Sequence, residues 1–160
     1  MAIKVGDKLP AVTLTQATMD GPKPVSVDDF FKGRTVALFA VPGAFTPTCS
    51  ARHLPGYVDQ AETIKGKGVD VIACLSVNDA FGMKAWGVSQ SVGDDIVMLA
   101  DGSGDFTRAV GLTMDATKFG MGERSQRYSA LVRDGVVEQL NIEAGGEFKV
   151  SSADHLLTQL

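Results

Sequence analysis

Two apolar runs, Thr35-Val36-Ala37-Leu38-Phe39-Ala40-Val41 and Val69-Asp70-Val71-Ile72-Ala73-Cys74-Leu75-Ser76-Val77, constrain this chain more than anything else in it. Neither alternates apolar with polar residues over its length, so each reads as a strand covered on both faces, as in the parallel sheet of an α/β protein. Parallel neighbours need a long crossover, usually a helix. The intervening stretch supplies one: Tyr57, Val58, Ala61 and Ile64 fall on a single helical face, and Lys65-Gly66-Lys67-Gly68 ends it. Pro55-Gly56 must bend or unwind that helix. The order β-α-β is therefore written into the first half of the chain.

The flanking segments extend the pattern. Ala11 to Thr15 could form a short strand before a turn at Asp20-Gly21-Pro22, and Ser26-Val27-Asp28-Asp29 resembles a capped helix start that Gly33 stops. Asn78-Asp79 offers a cap for a helix through Ala80, Phe81, Ala85, Trp86 and Val88. Ile96 to Leu99 reads as a third strand and Phe106 to Val110 as a short helix. Tyr128 to Val132 and Val136 to Leu140 form a hairpin turned at Asp134-Gly135, and Asp154 to Leu160 closes the chain as a last helix. Alternation followed by a hairpin predicts an α/β fold, a central mixed sheet with helices on both faces. No repeat, linker or low-complexity stretch interrupts it, so one domain over residues 1–160 is expected.

A chain of 160 residues buries roughly two thirds of its unfolded surface and needs no disulfide staples. A net charge of −4 without a basic stripe argues against nucleic acid or an anionic membrane as partner. The N-terminus lacks the features of a secretory signal, and nowhere do about 18 apolar residues run together. These features predict a cytoplasmic protein, whose two cysteines are reduced, catalytic or buried rather than crosslinked. The six methionines show no copper-site spacing, and His53 and His155 with two distant cysteines make no zinc pattern, so no metal is expected.

The loop after the first central strand carries the chemistry. In Val41-Pro42-Gly43-Ala44-Phe45-Thr46-Pro47-Thr48-Cys49, Thr46 suits the N-cap and Pro47 the first helical position, which puts Cys49 at the third. There a thiolate meets unpaired backbone N–H groups and the positive end of the helix dipole. The alternative is a helix start with an incidental, inert cysteine.

Pro42, Thr46 and Cys49 also form the spacing P-x-x-x-T-x-x-C, and here the chain resembles the peroxiredoxins. The stretches Pro42 to Cys49 and Ala73-Cys74-Leu75-Ser76-Val77-Asn78-Asp79-Ala80-Phe81 look like the type II, Prx5-like subgroup, and the likeness runs through Arg127-Tyr128-Ser129 to the C-terminal helix. The resemblance implies a thioredoxin-like fold and a homodimer. It also implies reduction of hydrogen peroxide or alkyl hydroperoxides by a cysteine thiolate, with no metal, haem or other bound cofactor. It assigns Cys49 as nucleophile and Arg127 as the distant arginine of the fingerprint. Each role has a physical reason: peroxide cleavage moves negative charge from sulfur onto a departing oxygen, and fixed donors stabilise both. The Arg127 guanidinium can donate to sulfur and oxygen together. Thr46 can cap the helix and offer its hydroxyl to the peroxide, and Pro42 can shield the thiolate from water. By analogy the N–H groups of Thr48 and Cys49 face the substrate. Phe45 and Phe119 suit a peroxide pocket or a dimer contact, with core packing as the alternative.

Three further residues stay open. His53, four residues after Cys49, could reach it as a base or serve as pocket wall. Arg124 could order Arg127, meet a reductant or be solvated. Cys74 is most simply a small core side chain of a buried strand, although the subgroup often carries a cysteine there. A second resolving position, used near the C-terminus by some relatives, is occupied by Ser151-Ser152. A one-cysteine cycle regenerated by glutathione and glutaredoxin is therefore expected. A two-cysteine cycle with Cys74 resolving and thioredoxin as donor is the alternative, and a peroxide-sensing interaction protein is the reading from another class. A thioredoxin-type disulfide reductase is disfavoured because Ser50-Ala51-Arg52 follow Cys49, with no second cysteine two residues on.

Overall fold

In the computed structural model, which describes residues 2–160, the two apolar runs lie side by side in parallel: Thr35–Val41 (β3) against Val71–Ser76 (β4), with Phe39 opposite Cys74. Val97–Ala100 (β5) continues the parallel set beside β4. The hairpin of Tyr128–Arg133 (β8) and Val136–Ile142 (β9) adds antiparallel to the other side of β3. Its turn residues Asp134 and Gly135 both have positive φ, the condition for the tight turn that matches strand twist. Thr13–Thr18 (β1) pairs antiparallel with β5 and with the edge strand Gly21–Ser26 (β2). The sheet order is β2-β1-β5-β4-β3-β8-β9.

Side chains alternate across β3 and β4 into two cores, which is why both runs are apolar throughout. Ala37, Phe39, Val41, Ile72 and Cys74 face a layer made by Leu54–Asp59 (α2), Ala61–Gly66 (α3), Ala80–Ser89 (α4) and Ala153–Leu157 (α6). Val36, Leu38, Ala40, Ala73 and Leu75 face Val27–Phe31 (α1) and Asp105–Val110 (α5). Helices thus cover both faces of a mixed sheet, the α/β arrangement that the sequence pattern predicted and the thioredoxin-like fold that the resemblance implied.

Two local expectations need correction, and two further features lie outside what the sequence specified. Asp20-Gly21-Pro22 leads into a paired strand, β2, and not only a turn; Pro22 and Pro24 are tolerated there because the strand is an edge. The long crossover helix breaks at Gln60, between α2 and α3, while the Pro55 defect is absorbed earlier by a π turn over Cys49–His53. Proline cannot donate to the carbonyl four residues back and its ring crowds it, and a wider turn relieves both. The helix α4 runs through the residues expected of it, with Ala80, Met83, Trp86 and Gly87 on its buried side and Phe81 and Val88 facing solvent. A small second sheet, Thr113–Asp115 (β6) with Glu123–Ser125 (β7), was not foreseen from strands this short.

Candidate active site

The cysteine loop leaves β3 at its C-terminal end, through Pro42, and turns back as a helix from Pro47. Phe45 holds a left-handed φ of 64°, an uncommon conformation for a bulky residue. The turn is fixed by its surroundings. Ala44 N–H donates to Asn78 Oδ1 at 3.0 Å, and a Cβ at Gly43 would lie 2.9 Å from the Met121 side-chain end and 3.1 Å from the Thr46 methyl, so a larger residue there would have to push Met121 aside. Asn78 therefore braces the loop, and Asp79 alone caps α4 by accepting from Gly82 N–H at 2.7 Å.

Cys49 occupies the expected third position. The first helical bond runs from Ser50 N–H to the Thr46 carbonyl at 2.9 Å, so the N–H groups of Thr48 and Cys49 precede any intrahelical acceptor. The Thr46 side chain departs from expectation: its hydroxyl donates to the Gly43 carbonyl at 2.7 Å instead of capping the helix. That bond commits the proton and leaves the oxygen lone pairs as acceptors. Trp86 of α4 donates from Nε1 to Ser50 Oγ at 3.0 Å, tying the cysteine turn to the core.

Arg127, immediately before β8, converges on the thiol. Its Nη2 donates to Cys49 Sγ at 3.1 Å and its Nη1 to His53 Nδ1 at 2.8 Å. Arginine has only donors, so His53 Nδ1 must accept and its proton sits on Nε2, which donates to the Ser151 carbonyl at 3.0 Å. His53 is fully buried. Burial, then the adjacent Arg127 charge, pushes its pKa down to about 3, against a weaker opposing effect of the Ser151 bond. Its only acceptor nitrogen faces the arginine, so His53 orients Arg127 and the base role is not what this geometry provides. Phe148 stands beside the pair, 5.1 Å from the His53 ring and 5.9 Å from the Arg127 guanidinium, with Arg52 stacked on it at 4.7 Å.

The other candidates separate. Arg124 donates to the Met121 carbonyl at 2.8 Å and the Val77 carbonyl at 2.7 Å, so it fastens the neighbouring loop to the end of β4. Phe45 and Phe119 are exposed, which removes the core-packing alternative; their loops meet where Met121 reaches Gly43. Cys74 is fully buried in the same core as Cys49, and both are free thiols. Burial, then the neighbouring Cys49, pushes the Cys74 thiol well above its ordinary range, with Arg127 acting the other way. Sequence reasoning missed Asn78 as a loop brace, Phe148 and the Ser151 carbonyl. None has a local signal, since each acts through a partner far along the chain.

Known proteins are similar to this chain over nearly its whole length. The Redoxin family model matches residues 4–157. Peroxiredoxin-2E-2, chloroplastic, of Oryza sativa subsp. japonica is 52% identical across 99% of this chain and 72% of its own length. Peroxiredoxin-2B of Arabidopsis thaliana is 47% identical, covering 99% of this chain and 98% of its own. The crystal structure of reduced Prx3 from Vibrio vulnificus in complex with H2O2 superposes with a TM-score of 0.94 at 53% identity, covering 98% of both chains. A helix-start cysteine gripped by a distant arginine, on a scaffold this close to those proteins, places the chain among the type II, Prx5-like peroxiredoxins: it is a thiol peroxidase.

Proposed function

We propose that Cys49 is the peroxidatic nucleophile of a one-cysteine cycle that reduces hydrogen peroxide and alkyl hydroperoxides. The observation that carries this reading is the 3.1 Å bond from Arg127 to Cys49 Sγ at the open start of a helix. The Cys49 thiolate attacks one peroxide oxygen, the S–O bond forms as the O–O bond breaks, and water or an alcohol leaves once its oxygen has gained a proton. Arg127 and the N–H groups of Thr48 and Cys49 offset the charge on the departing oxygen. Thr46 orients the incoming peroxide by accepting its O–H, and Pro42 limits water at the sulfur. Phe45 and Phe119 border the approach and, on the exposed side, meet a second copy in a homodimer.

The sulfenic acid is then attacked by glutathione thiolate with loss of water, and a second thiol, from glutaredoxin or glutathione, takes the glutathionyl group and frees Cys49. Ser151 supports this cycle because it offers no thiol at the C-terminal resolving position and is held by its own bonds to Glu143. A cytoplasmic, reducing setting fits two free thiols. The nearness of Cys74 to Cys49 favours one second reading, a Cys49–Cys74 disulfide reduced by thioredoxin. Cys74→Ser separates the two: in the first, turnover with glutathione and glutaredoxin persists in the variant, and in the second, the wild type turns over with thioredoxin and the variant loses that turnover. Cys49→Ser tests the nucleophile itself, since a folded variant that still consumed peroxide in a single turnover would overturn the assignment.

A further inference from the structure

Glu143 is a buried carboxylate just past the end of β9, far in sequence from the cysteine loop, and the peroxidase chemistry does not use it directly. One of its oxygens, Oε2, accepts four hydrogen bonds: from the N–H groups of Lys149, Val150 and Ser151 at 2.8, 2.9 and 2.8 Å, and from Ser151 Oγ at 2.6 Å. Three successive backbone N–H groups closing on one anion form a nest, an arrangement that fixes a loop as firmly as it satisfies the charge. Burial by itself disfavours the carboxylate, but these donors outweigh it and hold the group below the usual glutamate range.

The loop so held leads directly to the thiol. The Ser151 carbonyl at its end accepts from both His53 Nε2, at 3.0 Å, and the Tyr57 hydroxyl, at 2.9 Å. His53 passes the constraint on, because its Nδ1 accepts from the arm of Arg127 not used on Cys49. The same strap carries Phe148 beside the His53–Arg127 pair. Glu143 also reaches Arg127 by a second route, through its own backbone N–H, which donates to the Arg127 carbonyl at 3.0 Å. One residue therefore grips the main chain of the arginine and, through Ser151 and His53, the tip of its side chain.

We propose that Glu143 is a positioning residue for the peroxidase reaction: by anchoring the Lys149-Val150-Ser151 strap it aims Arg127 at Cys49. This role rests on Cys49 being the peroxidatic cysteine. A merely structural anchor would lower stability without changing the reactivity of the folded protein, whereas a positioning residue acts only while Arg127 is present to be aimed.

The test is single-turnover oxidation by hydrogen peroxide for Glu143→Gln, Glu143→Ala and Ser151→Ala in wild-type and Arg127→Ala backgrounds. Misplacing a catalytic donor by a fraction of an ångström costs roughly tenfold, so Glu143→Gln is expected to slow oxidation by about that factor. In Arg127→Ala the same change should have no further effect, the signature of two residues acting as one unit. If the Glu143 variants do not fold, Ser151→Ala carries the test: it removes one of four donors and keeps the carbonyl, and should slow oxidation about twofold only while Arg127 is present. A folded Glu143→Gln oxidising at the wild-type rate, or an equal loss with and without Arg127, overturns the proposal. Peroxide consumption that survives Cys49→Ser overturns the underlying nucleophile assignment, and the Glu143 role with it.

Discussion

Replacing Arg127 by alanine removes the charged group bonded to the Cys49 sulfur, and the structure sets the size of the effect. The lost contact is a charge-assisted hydrogen bond of 3.1 Å, a class worth about 1.5–3 kcal/mol. At about 1.4 kcal/mol per tenfold, the range corresponds to roughly a 10- to 150-fold slower reaction. Arg127 is half-buried, and solvent screening places the expected loss in the lower part, about 10- to 50-fold. His53 Nδ1 is left without its donor, so stability should also fall by about 1–3 kcal/mol. Arg127→Lys can rescue only in part, since one ammonium cannot span Cys49 and His53 as the forked guanidinium does. Trp86, the only tryptophan, is bonded to Ser50 beside the cysteine, so stopped-flow fluorescence after mixing with peroxide reads the oxidation step directly. Alkylation by iodoacetamide in parallel separates loss of thiolate from loss of peroxide-specific stabilisation. Oxidation of folded Arg127→Ala within about twofold of wild type would refute the arginine's role.

Two further outcomes follow from the same geometry. His53 has a folded pKa of about 3 against an ordinary 6.5, so the unfolded chain binds the extra proton between those values; its stabilising contribution is complete above about 6.5 and is lost as pH falls. Urea unfolding should therefore show about 2 kcal/mol less stability at pH 5 than at pH 7, a difference that shrinks in His53→Gln, and an unchanged free energy across that interval in the wild type would contradict the buried neutral histidine. The exposed rings of Phe45 and Phe119 predict a dimer at micromolar concentration that Phe119→Glu dissociates; sedimentation of wild type as a 16.8 kDa species, reduced and oxidised, would count against it.

What could be read in the sequence was whatever neighbouring residues decide among themselves. Continuous apolarity in Thr35–Val41 and Val71–Ser76 specified strands buried on both faces, and Asp134-Gly135 specified a hairpin turn, because burial and positive φ are local demands. The position of Cys49 at a helix start was legible for the same reason. The Thr46 hydroxyl was misjudged because a cap and a bond back to Gly43 satisfy the same residue, and only the loop's closure selects the second. Edge strand β2 was hidden by its two prolines, which argue against a strand everywhere except at a sheet edge. His53 offered no way to choose between base and orienting group until Arg127 and Ser151 arrived on either side of its ring, from 74 and 98 residues away. The bracing residues Asn78 and Glu143 belong to the same class: their partners are remote, so their spacing carries no motif.

The central claim is that Cys49 is the residue peroxide oxidises and that Cys74 takes no part. Mass spectrometry of the reduced protein after one equivalent of hydrogen peroxide, with a sulfenic-acid trap and then with glutathione, tests it most directly. The account predicts a trapped sulfenic acid on Cys49 alone, converted to a glutathione adduct at the same residue, with Cys74 recovered as an unmodified thiol. First oxidation at Cys74, or stoichiometric Cys49–Cys74 disulfide under these conditions, would contradict it.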